Sequence, residues 1–196
     1  YLRKKTLERK ERGFQSRVRD RHLRLKGFVT TSTLEVPGDL SSNRTRPSDN
    51  DGLWTALYLA AQSYRYSVTG DEEAREWAEQ AFDAIEWLEG VTTIDGFPTK
   101  AIVAARDDTG SDAVFWHPSA GCSWLWKGDC SSDEIDGHMY GYSIFSDLAA
   151  DEAYRERIIE LVNRIMGPII DNGYLLLGID EKPTRWGVWA PEYLNG

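Results

Sequence analysis

The side chains best equipped for chemistry gather in Lys127 to Ser143, KGDCSSDEIDGHMYGYS, where Asp133, Glu134, Asp136, His138, Tyr140 and Tyr142 follow one another closely. An earlier stretch, Ser48 to Trp54 (SDNDGLW), echoes it, with Asp49, Asn50 and Asp51 ahead of an aromatic-rich segment. Both carry an Asp-Gly pair, Asp51-Gly52 and Asp136-Gly137. Two carboxyls facing one substrate can divide the work of a general acid and a general base. Asp51 and Asp136 are the first candidates, with Asp133 and Glu134 as substitutes. His138, or a tyrosine, offers a base of a different kind. His117 comes from the preceding segment, and Arg185 stands beside Trp186 and Trp189 near the end of the chain, where a cation and indole faces suit a carboxylate and an apolar ring. Each acid has an ordinary alternative role, because Asp at a helix start accepts hydrogen bonds from free backbone N–H groups. Arg185 can equally be a structural ion-pair partner, and a lone histidine a satisfied core residue. Metal ligation by His117, His138, Asp133 and Asp136 matches no closed zinc spacing, and the EF-hand spacing is absent. No metal and no cofactor is expected.

The elements that must position these residues are mainly helices. Residues 2–25 read as a charged helix with a thin apolar stripe of Leu2, Leu7, Phe14, Val18 and Leu23. Residues 28–50 read as an irregular loop rich in Ser, Asn, Asp, Pro and Gly. Gly52 to Val68 and Glu72 to Leu88 have apolar residues at helical spacing, and the short Thr69-Gly70-Asp71 link makes them an antiparallel pair. Ile135 to Leu148 and Glu152 to Ile170 repeat that arrangement across Ala149-Ala150-Asp151. Between the pairs, Gly96-Phe97-Pro98, Asp107-Asp108 and Gly110-Ser111 mark turns, and Ala101 to Ala105 and Ala113 to Trp116 suit short strands. Tyr174 to Leu177 suits another extended piece. One helical hairpin cannot bury its apolar faces alone, so repeated pairs must stack. The expected fold is all-α: αα-hairpin repeats in one (α/α) toroid or partial toroid spanning 1–196, with small β-hairpin excursions and a basic helix over 1–27. The chain supplies fewer helices than a full ring needs, so the rest of a longer chain or a homo-oligomer is the expected partner in completing it.

The 196 residues suit one domain, and eight Trp and nine Tyr supply many aromatic faces. The net charge of −9 argues against nucleic acid as a partner. Residues 1–27 hold 11 Lys and Arg against three Asp and Glu, a bias that fits a helix paired with an acidic body. No run is long and apolar enough to span a membrane. Cys122 and Cys130 either close a short loop in an oxidising compartment or remain free thiols.

The runs DNDGLWTALYLAAQSYRYSVTGD (49–71), KGDCSSDEIDGHMYGYS (127–143) and EKPTRWGVWAPEYLNG (181–196) resemble segments of bacterial six-hairpin (α/α) toroid proteins, over about residues 28–196. That group includes glycoside hydrolases and, in related toroids, polysaccharide lyases. The resemblance implies a carbohydrate-active enzyme working outside the cytoplasm, periplasmic or secreted. Hydrolysis would use the carboxyls named above across the glycosidic bond. Asp49, Asn50, Trp54, His117, Tyr140, Tyr142, Arg185, Trp186 and Trp189 would bind the sugar. The alternative reaction is β-elimination on a uronate polymer, with a His or Tyr base and Arg185 or Asn50 on the carboxylate. A third possibility is a non-catalytic carbohydrate-binding or scaffold domain.

Overall fold

A computed structural model describes residues 6–107 and 109–194, without side-chain detail at 110–112. Leu2 of the expected stripe, Asp108 of an expected turn and the terminal Asn195-Gly196 lie outside the described residues. In chain order the helices are α1 (Leu7–Arg21), α2 (Asp51–Thr69), α3 (Glu72–Gly90), α4 (Ser132–Leu148), α5 (Glu152–Asp171) and the single-turn α6 (Pro191–Leu194). The strands are β1 (Leu23–Arg24), β2 (Phe28–Val29), β3 (Thr31–Leu34), β4 (Asn43–Arg46), β5 (Ile102–Ala104), β6 (Trp116–Pro118), β7 (Trp124–Lys127), β8 (Leu175–Leu177) and β9 (Pro183–Val188).

The all-α toroid is therefore corrected to a mixed α/β architecture dominated by helices. Its strands pair into four small sheets: β1-β2, β3-β4, β5-β7-β6 and β8-β9. The long irregular loop expected over 28–50 contains the β3-β4 hairpin, with Thr31 opposite Arg46 and Thr33 opposite Arg44. β-branched threonine favours a pleated backbone, whereas the Pro37-Gly38 tip and the polar residues around it read as loop.

The four long helices form where apolar periodicity placed them, and their ends have chemical causes. Gly70 takes the left-handed conformation, φ 66°, that closes α2. Asp71 and Asp151 cap α3 and α5 by accepting from the backbone N–H of Glu73 and Tyr154. α1 is shorter than expected and has no buried residue. Tyr58 donates to its Gln15 at 3.2 Å, Arg65 pairs with its Glu11 at 3.6 Å, and its Arg19 lies 4.3 Å from the centre of the Trp77 ring. The basic helix thus lies on the α2-α3 pair through polar tips and cation–π contact.

The core is built from α2 (Leu59), α3 (Phe82, Ile85, Leu88), α4 (Ile135, Phe145) and α5 (Leu161, Ile165), closed at one end by Phe97 and Trp126. α2 and α4 lie directly against each other because small residues sit where they cross. Gly52 faces Glu134 and His138, Gly137 faces Leu53, and Gly141 faces Ala56, whose backbone oxygen would be 3.0 Å from an added Cβ. The glycines of the two Asp-Gly pairs are thus helix-packing residues. Gly52→Ala forces a methyl onto the Glu134 and His138 side-chain tips, with the Leu88 methyl 3.0 Å away. Overpacking of this kind costs about 1–3 kcal/mol, so a thermal melt of that variant is expected to show a clear loss of stability.

Candidate functional site

The two Asp-Gly pairs are not equivalent in the fold. Asp51 is the first residue of α2, whereas Asp136 is the fifth of α4 and points outward. Asp51 is fully buried. Its Oδ2 accepts from Arg24 Nη2 at 2.8 Å, and its Oδ1 accepts from Ser48 N at 3.0 Å and Ser48 Oγ at 2.7 Å, with Thr30 Oγ1 at 2.6 Å. Every favourable acceptor position is taken by protein. This geometry ties the segment before α2 to β1 and to Thr30, just after β2, and leaves no approach for a substrate.

Glu134, His138 and Tyr142 repeat every four residues on α4 and all face inward. Glu134 Oε2 accepts from Leu53 N at 3.1 Å and lies 3.8 Å from His138 Nε2. Burial pushes the Glu134 carboxyl well above its usual range, against the pull of the Leu53 N–H, and the nearby charges of Asp133 and Asp51 push it further. Burial lowers the His138 imidazole to about 3. Both groups are therefore held toward neutrality at the helix crossing. A carboxyl whose folded pKa is raised binds its proton more tightly folded than unfolded. Its contribution to stability is full below the unfolded value near 4.5 and declines as pH rises through the folded value. Glu134→Gln removes that decline, so its melting temperature is expected to exceed the parent's at neutral pH and to converge with it in acid.

The outward acids sit at the rim of the α4 start. Asn50 donates to Asp133 at 3.1 Å, and Trp189 Nε1 donates to Asp136 at 3.3 Å. Trp54 and Tyr140 are half-exposed on the outer faces of α2 and α4, and Trp186 is exposed on β9.

Three of the expected binding residues come together elsewhere, in a cleft between the β5-β7-β6 sheet and β9: Asp49, His117 and Arg185. Register does much of the positioning. His117 lies opposite Trp126, and their rings are 4.7 Å apart. Lys127 closes β7, its carbonyl accepting from Lys100 N at 3.2 Å and Thr99 Oγ1 at 2.6 Å. Gly128 has no side chain to cover His117; a Cβ there would be 3.0 Å from His117 Nε2. Asp129 adopts a left-handed φ of 57° and turns its carboxylate to Arg185, accepting from Arg185 N at 2.9 Å, Nε at 2.9 Å and Nη2 at 2.7 Å. The Arg185 guanidinium lies 5.4 Å from the centre of the Phe115 ring.

The cleft has two adjoining parts that share Phe115, Gly128, Asp129 and Arg185 in their walls. One, of about 460 Å³, has Phe97, His117 and Trp126 along it. The other, of about 150 Å³, is polar and is bounded by Asp49, Lys100 and Lys127. Lys127 Nζ is 2.6 Å from Asp49 Oδ1. Burial opposes ionisation of Asp49, but the Lys127 hydrogen bond and the fields of Lys127, Lys100 and Arg185 outweigh it, so the carboxyl is held below its usual range. Burial lowers the His117 imidazole as well, which favours the neutral base.

Lys100, Phe115, Trp126, Lys127 and Asp129 are wall residues that motif reading did not single out. Lys127-Gly128-Asp129 opens the stretch already marked as chemical, so its position was a usable signal. Lys100 carries none. Among the described residues no three His, Cys, Asp or Glu side chains are grouped to hold a metal ion. Cys130 is buried and Cys122 exposed, both as free thiols. No described helix is long and apolar enough to cross a membrane.

Fold and cleft together define a helix-dominated α/β protein with one wall of aromatic rings and one of cations. The chain matches no family model, and no curated protein matches it.

Proposed function

We propose that the protein is a carbohydrate-active enzyme that lays a glycan along the Phe115, His117 and Trp126 wall, with His117 as the group that moves the proton. The observation carrying this reading is the pairing of an open, neutral imidazole with aromatic and cationic walls in one cleft. Aromatic faces take the apolar faces of sugar rings, and charged or amide edges take the hydroxyls. The residue runs that resemble glycan enzymes contribute Asp49, Lys127, Asp129 and Arg185 to this cleft, which supports the same reading.

The reaction these groups suit is β-elimination. Hydrolysis needs a protonated carboxyl to serve the leaving oxygen. Asp49 is held as a carboxylate by the Lys127 hydrogen bond and the surrounding cations, and Asp129 is fully engaged by Arg185. The carboxyl that burial holds protonated, Glu134, is sealed at the α2-α4 crossing. In elimination, neutral His117 takes the proton from the carbon bearing a uronate carboxylate. The C–H electrons form a double bond to the neighbouring ring carbon, and the glycosidic oxygen leaves, gaining a proton from water. Nearby cations stabilise the charge that develops on the carboxylate.

The test is a panel of neutral and uronate glycans, following ultraviolet absorbance of the unsaturated product and reducing ends together. Both signals rising in step on uronate glycans support elimination. Reducing ends without absorbance would return the reaction to hydrolysis. Binding with neither signal would leave a glycan-binding domain.

A further inference from the structure

We propose that the outer face formed by α1, α2 and α4 docks a second copy of this chain, with the two α2 helices side by side and parallel. The inference stands apart from the cleft and from the glycan reading.

α2 is covered by α1, α3 and α4, yet its remaining side carries Trp54, Leu57, Ala61, Tyr64 and Val68, all exposed. Spacing that alternates between three and four residues is the seam by which one helix packs along another. Leu57 is 42% and Val68 83% exposed, and no residue of the seam is charged. An apolar stripe of this kind left open to water marks an interaction surface. α1 and α4 flank the seam on opposite sides: Tyr58 and Arg65 of α2 meet α1, while Leu53 and Ala56 meet α4. α1 adds Phe14, 61% exposed, to the surface. Between α1 and α2 the seam opens into an apolar hollow of about 500 Å³, walled by Val18, Val29, Trp54 and Leu57.

Charge chooses the occupant. One flank is basic, because Lys10, Arg17 and Arg21 share a row of α1 with Phe14 at helical spacing. The other is acidic: Asp133, Asp136 and Asp147 are exposed on α4, which has no Lys or Arg. With an uncharged seam between them, the surface complements itself. A two-fold axis parallel to α2 lays each basic flank on the acidic flank of the other copy, whereas an axis across α2 would lay like on like. The heights agree as well. α1 runs antiparallel to α2, with Val18 near Leu57 and Glu11 beside Arg65. α4 runs parallel to α2, with Gly137 at Leu53 and Gly141 at Ala56. Lys10 of one copy therefore comes roughly level with Asp147 of the other, and Arg21 with Asp136. Tyr140, half-exposed and level with Leu57, faces the hollow of the second copy. Three helices across and five seam residues long, the face offers roughly 600 Å² per copy at ordinary helix spacings. That is the lower end of what specific interfaces bury, so a reversible dimer with a dissociation constant on the order of micromolar is expected.

Analytical ultracentrifugation of the full chain over a concentration series tests the surface. Ala61→Arg, Lys10→Glu, Asp147→Lys and the Lys10→Glu/Asp147→Lys double variant are run beside the parent, with thermal melts to verify folding. All three positions are exposed, so the variants are expected to melt with the parent. The parent is expected to pass reversibly from monomer to dimer, and less readily in high salt, which screens the flanking charges. Ala61→Arg sets a charge in the middle of the seam and is expected to weaken dimerisation by about 100-fold or more. Each single reversal sets like charges together and is expected to weaken it about 10-fold, and the double variant to recover most of that loss. A parent that stays monomeric at every concentration would overturn the surface, as would a dimer indifferent to Ala61→Arg. Single reversals that weaken the dimer with no recovery in the double variant would overturn the parallel arrangement. If Ala61→Arg does not fold, Tyr140→Ala decides: about 10-fold weaker dimerisation supports the surface, and dimerisation at the strength of the parent overturns it.

Discussion

Asp51→Ala is expected to destabilise the fold by about 3–5 kcal/mol. Asp51 is fully buried, and the Arg24 side chain that it pairs with at 2.8 Å is only 11% exposed. Deleting the carboxylate strands a guanidinium whose other hydrogen bond goes to the Ile102 carbonyl at 2.7 Å. It also removes the acceptor shared by Ser48 N and Ser48 Oγ, so the turn into α2 loses its anchor. Breaking a buried pair by removing one partner is the costly direction, because the remaining charge stays out of water. Denaturant unfolding should show the loss in full. Asp51→Asn keeps the shape and part of the hydrogen bonding but leaves the Arg24 charge uncompensated, so it should fall between parent and alanine. A catalytic Asp51 would behave differently: activity would vanish in Asp51→Asn while unfolding hardly moved. That second pattern would sink the anchor assignment.

The contrast between Asp51 and Lys100 explains how far the sequence could be read. The helices were legible because their cause is local. Apolar residues recur at helical spacing along α2, α3 and α5, and Asp71 and Asp151 announce two of the starts. The β3-β4 hairpin was not, because its side chains are mostly exposed and polar, and no alternating apolar pattern marks it. With a second face of short sheets hidden in this way, repeated helical pairs suggested a ring that the strands contradict. Asp51 and Asp136 look alike in sequence, both preceding glycine. Their difference lies in partners 27 and 53 positions distant, Arg24 and Trp189. Lys100 has no local signal at all. It reads as a surface lysine, and only the pairing of β5 with β7 puts it beside Lys127. The legible part of the site was the residue supply: Asp49, His117 and Arg185 were picked out by type. Which of the many acids and aromatics share the cleft with them was a tertiary fact.

His117→Ala is expected to lower the rate of elimination by about 10²- to 10⁴-fold, the usual worth of a positioned proton-transfer group. The Michaelis constant should change far less than the rate, because Trp126 and Phe115 keep the rest of the aromatic wall. His117→Gln fills the same space without a base and should be as slow as the alanine variant. That comparison separates proton transfer from wall packing, since a purely structural His117 would be largely replaced by glutamine. The pH profile is the second readout. Burial moves the imidazole below its ordinary value of 6.5, which favours the deprotonated base. A base works only in its deprotonated form, so kcat/KM should rise with pH along a limb centred below 6.5, and that acidic limb should be missing from what activity the variants retain. A limb centred above 6.5, or a glutamine variant as fast as the parent, would remove His117 from the reaction and shift the search for the base to the rim tyrosine, Tyr140.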